Sequence, residues 1–208
     1  MSSNPFGLPV VTSVIQYQQH IAQDPNQQLV NLVELIPNLI LDIRYATPYN
    51  LLGRPLYPAA QAYLRRPVAE ALRQVQAVLA RKGLGLCVYD AYRPYSVTVA
   101  FYEQVQDELF AAPPWRGSRH NRGCSVDVGL VELATGRHVP LPTDFDELTP
   151  AAHATFSQLP RHVILNRSVL LAAMKRHGFV NYVLEWWHFD YHGWQEFELL
   201  DLPFEALG

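Results

Sequence analysis

The apolar positions over 64–82 recur at helical spacing: Val68, Leu72, Val75 and Leu79 fall on one face, and Gly83 stands where a left-handed glycine ends a helix. That pattern predicts a helix. The run Leu86-Cys87-Val88-Tyr89, bounded by Gly85 and Asp90, predicts a short strand, and the segment from Asp90 to Pro94 joins it to a second helix over 96–110. Cys124, Val126, Val128 and Leu130 alternate with small or polar residues, the period of a half-buried strand. On the opposite face Asp127 stands between Ser125 and Gly129, whose small size is expected to leave room for a bound atom. A further strand is expected over 39–46, ahead of the turn-forming Thr47-Pro48-Tyr49-Asn50. A third helix follows Asn166, with Val169, Leu170, Ala173 and Met174 on its apolar side and Gly178 at its end. The aromatic and branched segments 179–184 and 187–191 are expected to pair as strands. The proline-rich stretch 136–160 reads as a long loop, and residues 1–30 as a surface-wrapping segment with a short helix near 14–22. Helices and strands mix without a regular βαβ rhythm. The expected fold class is therefore α+β: a single domain over 1–208, with a mainly antiparallel sheet flanked by helices.

Composition narrows the function classes. A chain of 208 residues buries a sizeable core without disulfides. Its net charge of −3 is not gathered into blocks, which argues against nucleic acid, because a phosphate-binding surface needs clustered Lys and Arg. No apolar run approaches the roughly 18 residues that span a bilayer, so no membrane partner is expected. The N-terminus lacks the basic and apolar regions of a secretory leader, so a cytoplasmic location is expected, or a periplasmic one where a leader has been removed. Two cysteines, Cys87 and Cys124, are too few for a four-thiolate zinc site, so a metal has to use His and carboxylates. Both are expected to stay reduced in a cytoplasmic protein, with Cys124 open to oxidation beside a metal.

Two clusters carry candidate chemistry: the stretch from Ser118 to Asp127, and Glu185-Trp186-Trp187-His188. A catalytic zinc takes three protein ligands from His nitrogen and carboxylate oxygen and leaves one position to water. His120, Asp127 and His188 supply such a set, with Gly123 letting the chain turn between the first two. Glu185 precedes His188 by three positions, which in a regular strand faces it the other way, so a turn or bulge is expected there. Glu185 is then the candidate base that takes a proton from the zinc-bound water. Arg93, permanently charged and fixed by a strand-to-helix turn, is the candidate partner for the negative charge on the scissile carbonyl. Each residue also has a structural reading. A lone histidine more often serves the surface or core, as is expected for His20, His138, His153, His162, His177 and His192. Arg93 equally suits a salt bridge, and Trp186 and Trp187 suit the core.

The ordered motifs D-x-Y-R-P at Asp90 to Pro94, S-x-H-x-x-G-x-x-x-D at Ser118 to Asp127 and E-x-W-H at Glu185 to His188 resemble those of the zinc D-alanyl-D-alanine dipeptidases of the VanX type. The likeness extends through Arg44-Tyr45-Ala46-Thr47, Gly53-Arg54-Pro55 and Phe145-Asp146-Glu147-Leu148. The resemblance implies a hedgehog/DD-peptidase-like fold and hydrolysis of D-Ala-D-Ala and related small zwitterionic dipeptides. One zinc ion per chain is implied on His120, Asp127 and His188, with Glu185 as base and Arg93 as oxyanion partner. It further implies that Asp146 meets the substrate ammonium, Tyr45 lines the same pocket, and Ser118 lies near the substrate carboxylate. Some positions depart from the family pattern. Cys124 and Ser125 stand where Ser and Ala are common, and Pro142 where a glycine often precedes the Phe-Asp segment. Tyr57 is the nearest match to a second pocket tyrosine, and the short stretch before Ser118 suggests a more open rim. Two other functions remain open: a carboxypeptidase or endopeptidase acting on peptidoglycan stems, and a non-catalytic zinc-binding module.

Overall fold

The structure, a computed structural model, describes residues 4–108 and 111–207. In chain order its elements are β1 (Val10–Val11), α1 (Val14–Gln23), β2 (Leu29–Asn31), α2 (Leu32–Leu35), β3 (Ile40–Leu41), β4 (Tyr63–Arg65) and α3 (Arg66–Ala80). There follow β5 (Leu84–Asp90), α4 (Tyr95–Val105), β6 (Ser125–Glu132), α5 (Arg161–Arg176), β7 (Phe179–Asn181), β8 (His188–Tyr191) and β9 (Leu199–Leu200). The central sheet has the order β3-β5-β6-β8-β7 and is antiparallel except for the β3/β5 pair. This is an α+β fold. Helix α3 packs on β5 and α5 on β6, so Val126, Val128 and Leu130 are sealed beneath helices. No helix among the described residues is long and apolar enough to cross a membrane.

The N-terminal segment is tied down at both ends of α1. β1 pairs in parallel with β9, Val11 is buried, and the Tyr17 hydroxyl accepts the Leu29 N–H at 2.6 Å. α3 begins after the predicted start, because Tyr63 to Arg65 pair with β2 and Pro67 then opens the helix, where its missing N–H costs no bond. The expected strand over 39–46 shrinks to Ile40–Leu41, and Arg44–Ala46 coil into a 3-10 turn. Asn50 accounts for this: its side-chain amide donates to the carbonyls of Arg44, Thr47 and Arg54, giving the backbone a partner other than a strand. α4 ends at Val105, with Gln106 left-handed at φ 49°, and the rest of the predicted helix runs into residues 109–110, outside the described residues. α5 starts at Arg161, ahead of the apolar positions that predict it.

β6 differs from expectation in being buried on both faces. The space over Gly129 holds the Tyr89 phenol: a Cβ there would lie 2.3 Å from Tyr89 Oη and 2.9 Å from Cζ. Tyr89 is itself buried and stacked on Phe145, with ring centroids 5.1 Å apart, so it has little freedom to retreat. Gly129→Ala is therefore expected to destabilise the protein by about 1–3 kcal/mol, read as a lower urea midpoint at unchanged slope. An extra residue in β5 at Tyr89 shifts the register, so that Val88 pairs with Val128 but Asp90 with Asp127. Such bulges re-aim side chains, and this one lies beside the cluster described next.

Candidate metal centre and active site

The sheet register assembles the site. Antiparallel pairing places Asp127 opposite His188 and Ser125 opposite Asp190. Side chains two apart on a strand share a face, so these four residues form a square on one side of β6 and β8. His120 arrives from the 3-10 turn His120–Arg122, which ends at Gly123 with φ 67°. A Cβ at Gly123 would lie 2.5 Å from Leu29 and 3.3 Å from the Arg65 nitrogen, so the turn needs glycine twice over. His120 Nδ1 lies 2.7 Å from the Ala91 carbonyl and acts as donor there, leaving Nε2 free toward Asp127 and His188.

The three candidate ligand atoms suit one metal ion. His120 Nε2 is 3.2 Å from His188 Nδ1 and 3.5 Å from Asp127 Oδ1, and His188 Nδ1 is 3.0 Å from Asp127 Oδ1. Ligands held tetrahedrally at 2.0–2.1 Å from a metal stand about 3.3–3.4 Å apart, so the trio has the right edge lengths. Burial pushes the Asp127 carboxyl up, but His120 and His188 outweigh it and hold it well below the usual carboxylate range. A second trio, Asp42, Cys87 and His138, also has donor atoms close together. It fits a cation poorly: Asp42 Oδ2 already accepts from Arg44 Nε at 2.8 Å, and burial pushes the Cys87 thiol up to about 12.

Glu185 lies in the turn between β7 and β8, where the Glu185 N–H donates to the Tyr182 carbonyl and the His188 N–H to the Glu185 carbonyl. The Asn181 side-chain amide donates to the carbonyls of Glu185, Trp186 and His188 and staples that turn. This is the break in strand geometry that brings Glu185 and His188 to one side, with Glu185 Oε2 3.9 Å from His188 Nδ1. Burial pushes the Glu185 carboxyl up to about 7, against the pull of His188.

Arg93 makes the salt bridge of its structural reading and also lines the cleft. Its Nε and Nη2 donate to Asp90 Oδ2 at 3.0 and 2.7 Å, and its guanidinium lies 4.9 Å from the Tyr45 ring centroid. Tyr57 lines no part of the cleft; its hydroxyl donates to Asp90 Oδ1 at 2.7 Å and braces the carboxylate that aims Arg93. The Arg93 N–H donates to the His120 carbonyl, and the Asn121 amide to the Arg93 carbonyl, so the arginine loop and the His120 turn are zipped together.

Asp146 Oδ2 accepts from the Tyr45 hydroxyl at 3.0 Å, and burial beside Asp127 pushes its carboxyl up to about 8. Asp146 has φ 61°, the left-handed region, so the loop presents it through a strained turn. Ser118 Oγ accepts the His120 N–H at 3.2 Å. Glu185, Arg93, His120, Asp127, His188, Asp146, Ser118 and Tyr45 all line one cleft of about 280 Å³, at the small end of ligand pockets. At its rim the exposed Arg116 and Glu108 approach to 3.6 Å. Trp186 and Trp187 are buried, and Trp187 also lines the cleft. Cys124 is not poised for oxidation: it is fully buried, and burial pushes its thiol up to about 12. Sequence reasoning assigned no role to Asp90 or Asn121 and overlooked Asp190 and Asn181. The available signal was Asp190 two positions after His188, matching Ser125 two before Asp127.

Comparison with known proteins adds a family. The D-ala-D-ala dipeptidase model of the M15 peptidases matches residues 25–201. The D-alanyl-D-alanine dipeptidase of Escherichia coli K12 is 31% identical over 163 residues, 78% of this chain and 84% of that protein. The one from Enterococcus faecalis V583 is 30% identical over 193 residues, covering 83% and 92%. The LdcB LD-carboxypeptidase, solved with a view to peptidoglycan recognition, overlaps at a TM-score of 0.40 and 19% identity, covering 64% of this chain and 61% of that one.

Proposed function

Because the chain belongs to the D-ala-D-ala dipeptidase family of M15 peptidases, we propose that it hydrolyses D-Ala-D-Ala and related D,D-dipeptides, using one zinc ion per chain held by His120, Asp127 and His188. The observation that carries this reading is the tetrahedral spacing of the three ligand atoms with Glu185 beside them. When bound, zinc supplies Lewis acidity toward a peptide carbonyl and toward water. Glu185, lining the cleft 3.9 Å from His188 Nδ1, accepts a proton from the attacking water and delivers it to the departing amine. Arg93, pinned by Asp90, meets the negative charge that develops on the carbonyl oxygen. Asp146, with Tyr45, receives the substrate ammonium, and Ser118 lies toward the carboxylate. A buried acid that has to become an anion favours a free amine over an acylated one, which confines the substrate to a short zwitterion.

The test is release of D-alanine by purified protein of measured zinc content, given D-Ala-D-Ala and its N-acetyl form in parallel. Turnover of the free dipeptide alone is expected. Activity on the blocked form would instead indicate a carboxypeptidase, and no activity on any D,D-dipeptide at full zinc occupancy would end the proposal. Asp146→Asn is expected to raise KM for D-Ala-D-Ala by about 10–100-fold, the worth of a hydrogen bond to a charged group, with a smaller change in kcat.

A further inference from the structure

We propose that Asp190 is a positioning residue for the metal centre: it holds His188 in the tautomer that turns Nδ1 toward the metal, and Ser125 and Arg119 hold Asp190 in place. The inference rests on the metal reading above. His188 Nε2 lies 3.0 Å from Asp190 Oδ1, on the opposite side of the ring from the Nδ1 that faces Asp127 and His120. A neutral imidazole has one N–H, and donating it from Nε2 to a carboxylate leaves the Nδ1 lone pair open to a cation. His120 achieves the equivalent with the Ala91 carbonyl at 2.7 Å, so each imidazole has its outward nitrogen anchored.

Asp190 is built in rather than adventitious. It is 5% exposed, its backbone is paired on both sides in the sheet, and every carboxylate oxygen is engaged. Oδ1 also accepts from the Ser125 hydroxyl at 2.6 Å, and Oδ2 accepts from Arg119 Nη1. Arg119 in turn lies over the Trp194 ring, 4.7 Å from its centroid, and closes this side of the cleft. The register makes the arrangement possible: the cross-strand pair Asp127/His188 carries the metal donors, and the next pair on the same face, Ser125/Asp190, braces them. Ser125, buried beside the candidate ligands, thereby has a partner. Partners of this kind raise the basicity of a metal-bound histidine and fix its ring, and their loss typically lowers metal affinity about 10–100-fold.

The experiment measures zinc affinity by competition with a chromophoric chelator, for wild type, Asp190→Ala, Asp190→Asn, Ser125→Ala and His120→Ala, with the His188 Nε2–H of wild type and of the Asp190 and Ser125 variants at saturating zinc read by long-range 15N NMR. Asp190→Ala is expected to weaken zinc about 10–100-fold and to lose the hydrogen-bonded Nε2–H shift of zinc-bound His188. Asp190→Asn should fall between it and wild type, because its carbonyl oxygen still accepts the imidazole N–H without the charge. Ser125→Ala should cost a few-fold. If wild type and His120→Ala bind zinc equally poorly, the metal reading itself fails. If wild type binds tightly and a folded Asp190→Ala binds within twofold with the Nε2–H shift of zinc-bound His188 unchanged, only the positioning role is overturned. Should Asp190→Ala not fold, Asp190→Asn decides by the same two readouts.

Discussion

Glu185→Gln is expected to lower kcat on D-Ala-D-Ala by about 10²–10⁴-fold while zinc content stays at one per chain. Glutamine keeps the shape and lines the cleft as glutamate does, but it cannot accept a proton. The turn that carries it is stapled by Asn181 through main-chain carbonyls, so the substitution leaves the scaffold in place. Full activity in Glu185→Gln with zinc bound would remove Glu185 from the mechanism. The same variant has a second readout without metal. Burial raises the Glu185 carboxyl from 4.5 to about 7, so between those values the folded chain holds a proton that the unfolded chain has released. Stability conferred by the protonated carboxyl is complete below 4.5 and falls as pH rises to about 7, by on the order of 3 kcal/mol in total. Metal-free Glu185→Gln should lack that fall, measurable as the difference between its urea midpoint and that of wild type at pH 5 and pH 8.

Asp127→Ala is expected to abolish zinc binding and, with it, dipeptide turnover. Asp127 is the one anionic donor of the trio, and its carboxylate lies within 3.5 Å of both imidazoles. Two neutral imidazoles alone leave the ion with too few protein ligands for a catalytic site. Zinc at about a hundred times its Kd should stabilise the wild type by ~2.7 kcal/mol and raise Tm by roughly 5–10 °C. Asp127→Ala should show no such rise. Chelation of the wild type should reproduce the inactivity, and added zinc should reverse it. An Asp127→Ala protein that still gains thermal stability from zinc would place the ion elsewhere.

Much of the site was legible along the chain because its pieces are local. The turn between His120 and Asp127 is written in Gly123, whose φ of 67° and tight surroundings admit no side chain. Helix α3 was legible in its apolar spacing, and β5 in its apolar run between Gly85 and Asp90. Other features were hidden because they depend on contacts between distant segments. Gly129 looked like space for a ligand, yet the ring that fills it comes from Tyr89, across the β5/β6 pair. Tyr57 looked like a pocket residue, yet its hydroxyl is committed to Asp90, 33 positions away. The predicted strand over 39–46 was cut short by a side chain, Asn50, that competes for its backbone.

The sequence by itself determined the chemistry on offer: two histidines and an aspartate able to donate to a metal, a glutamate able to take a proton, a fixed arginine, and the local turns that present them. Covalent spacing along a few residues is enough to encode those. Only the tertiary structure decided that the donors meet, and with what support. His188 joins Asp127 across 61 positions because the β6/β8 register sets them opposite one another. A slip of one residue would turn every side chain of β8 to the other face of the sheet. That same register brings Asp190 against Ser125, and no pattern within either strand alone specifies it, because a register is chosen by the burial of whole faces and not by any single residue.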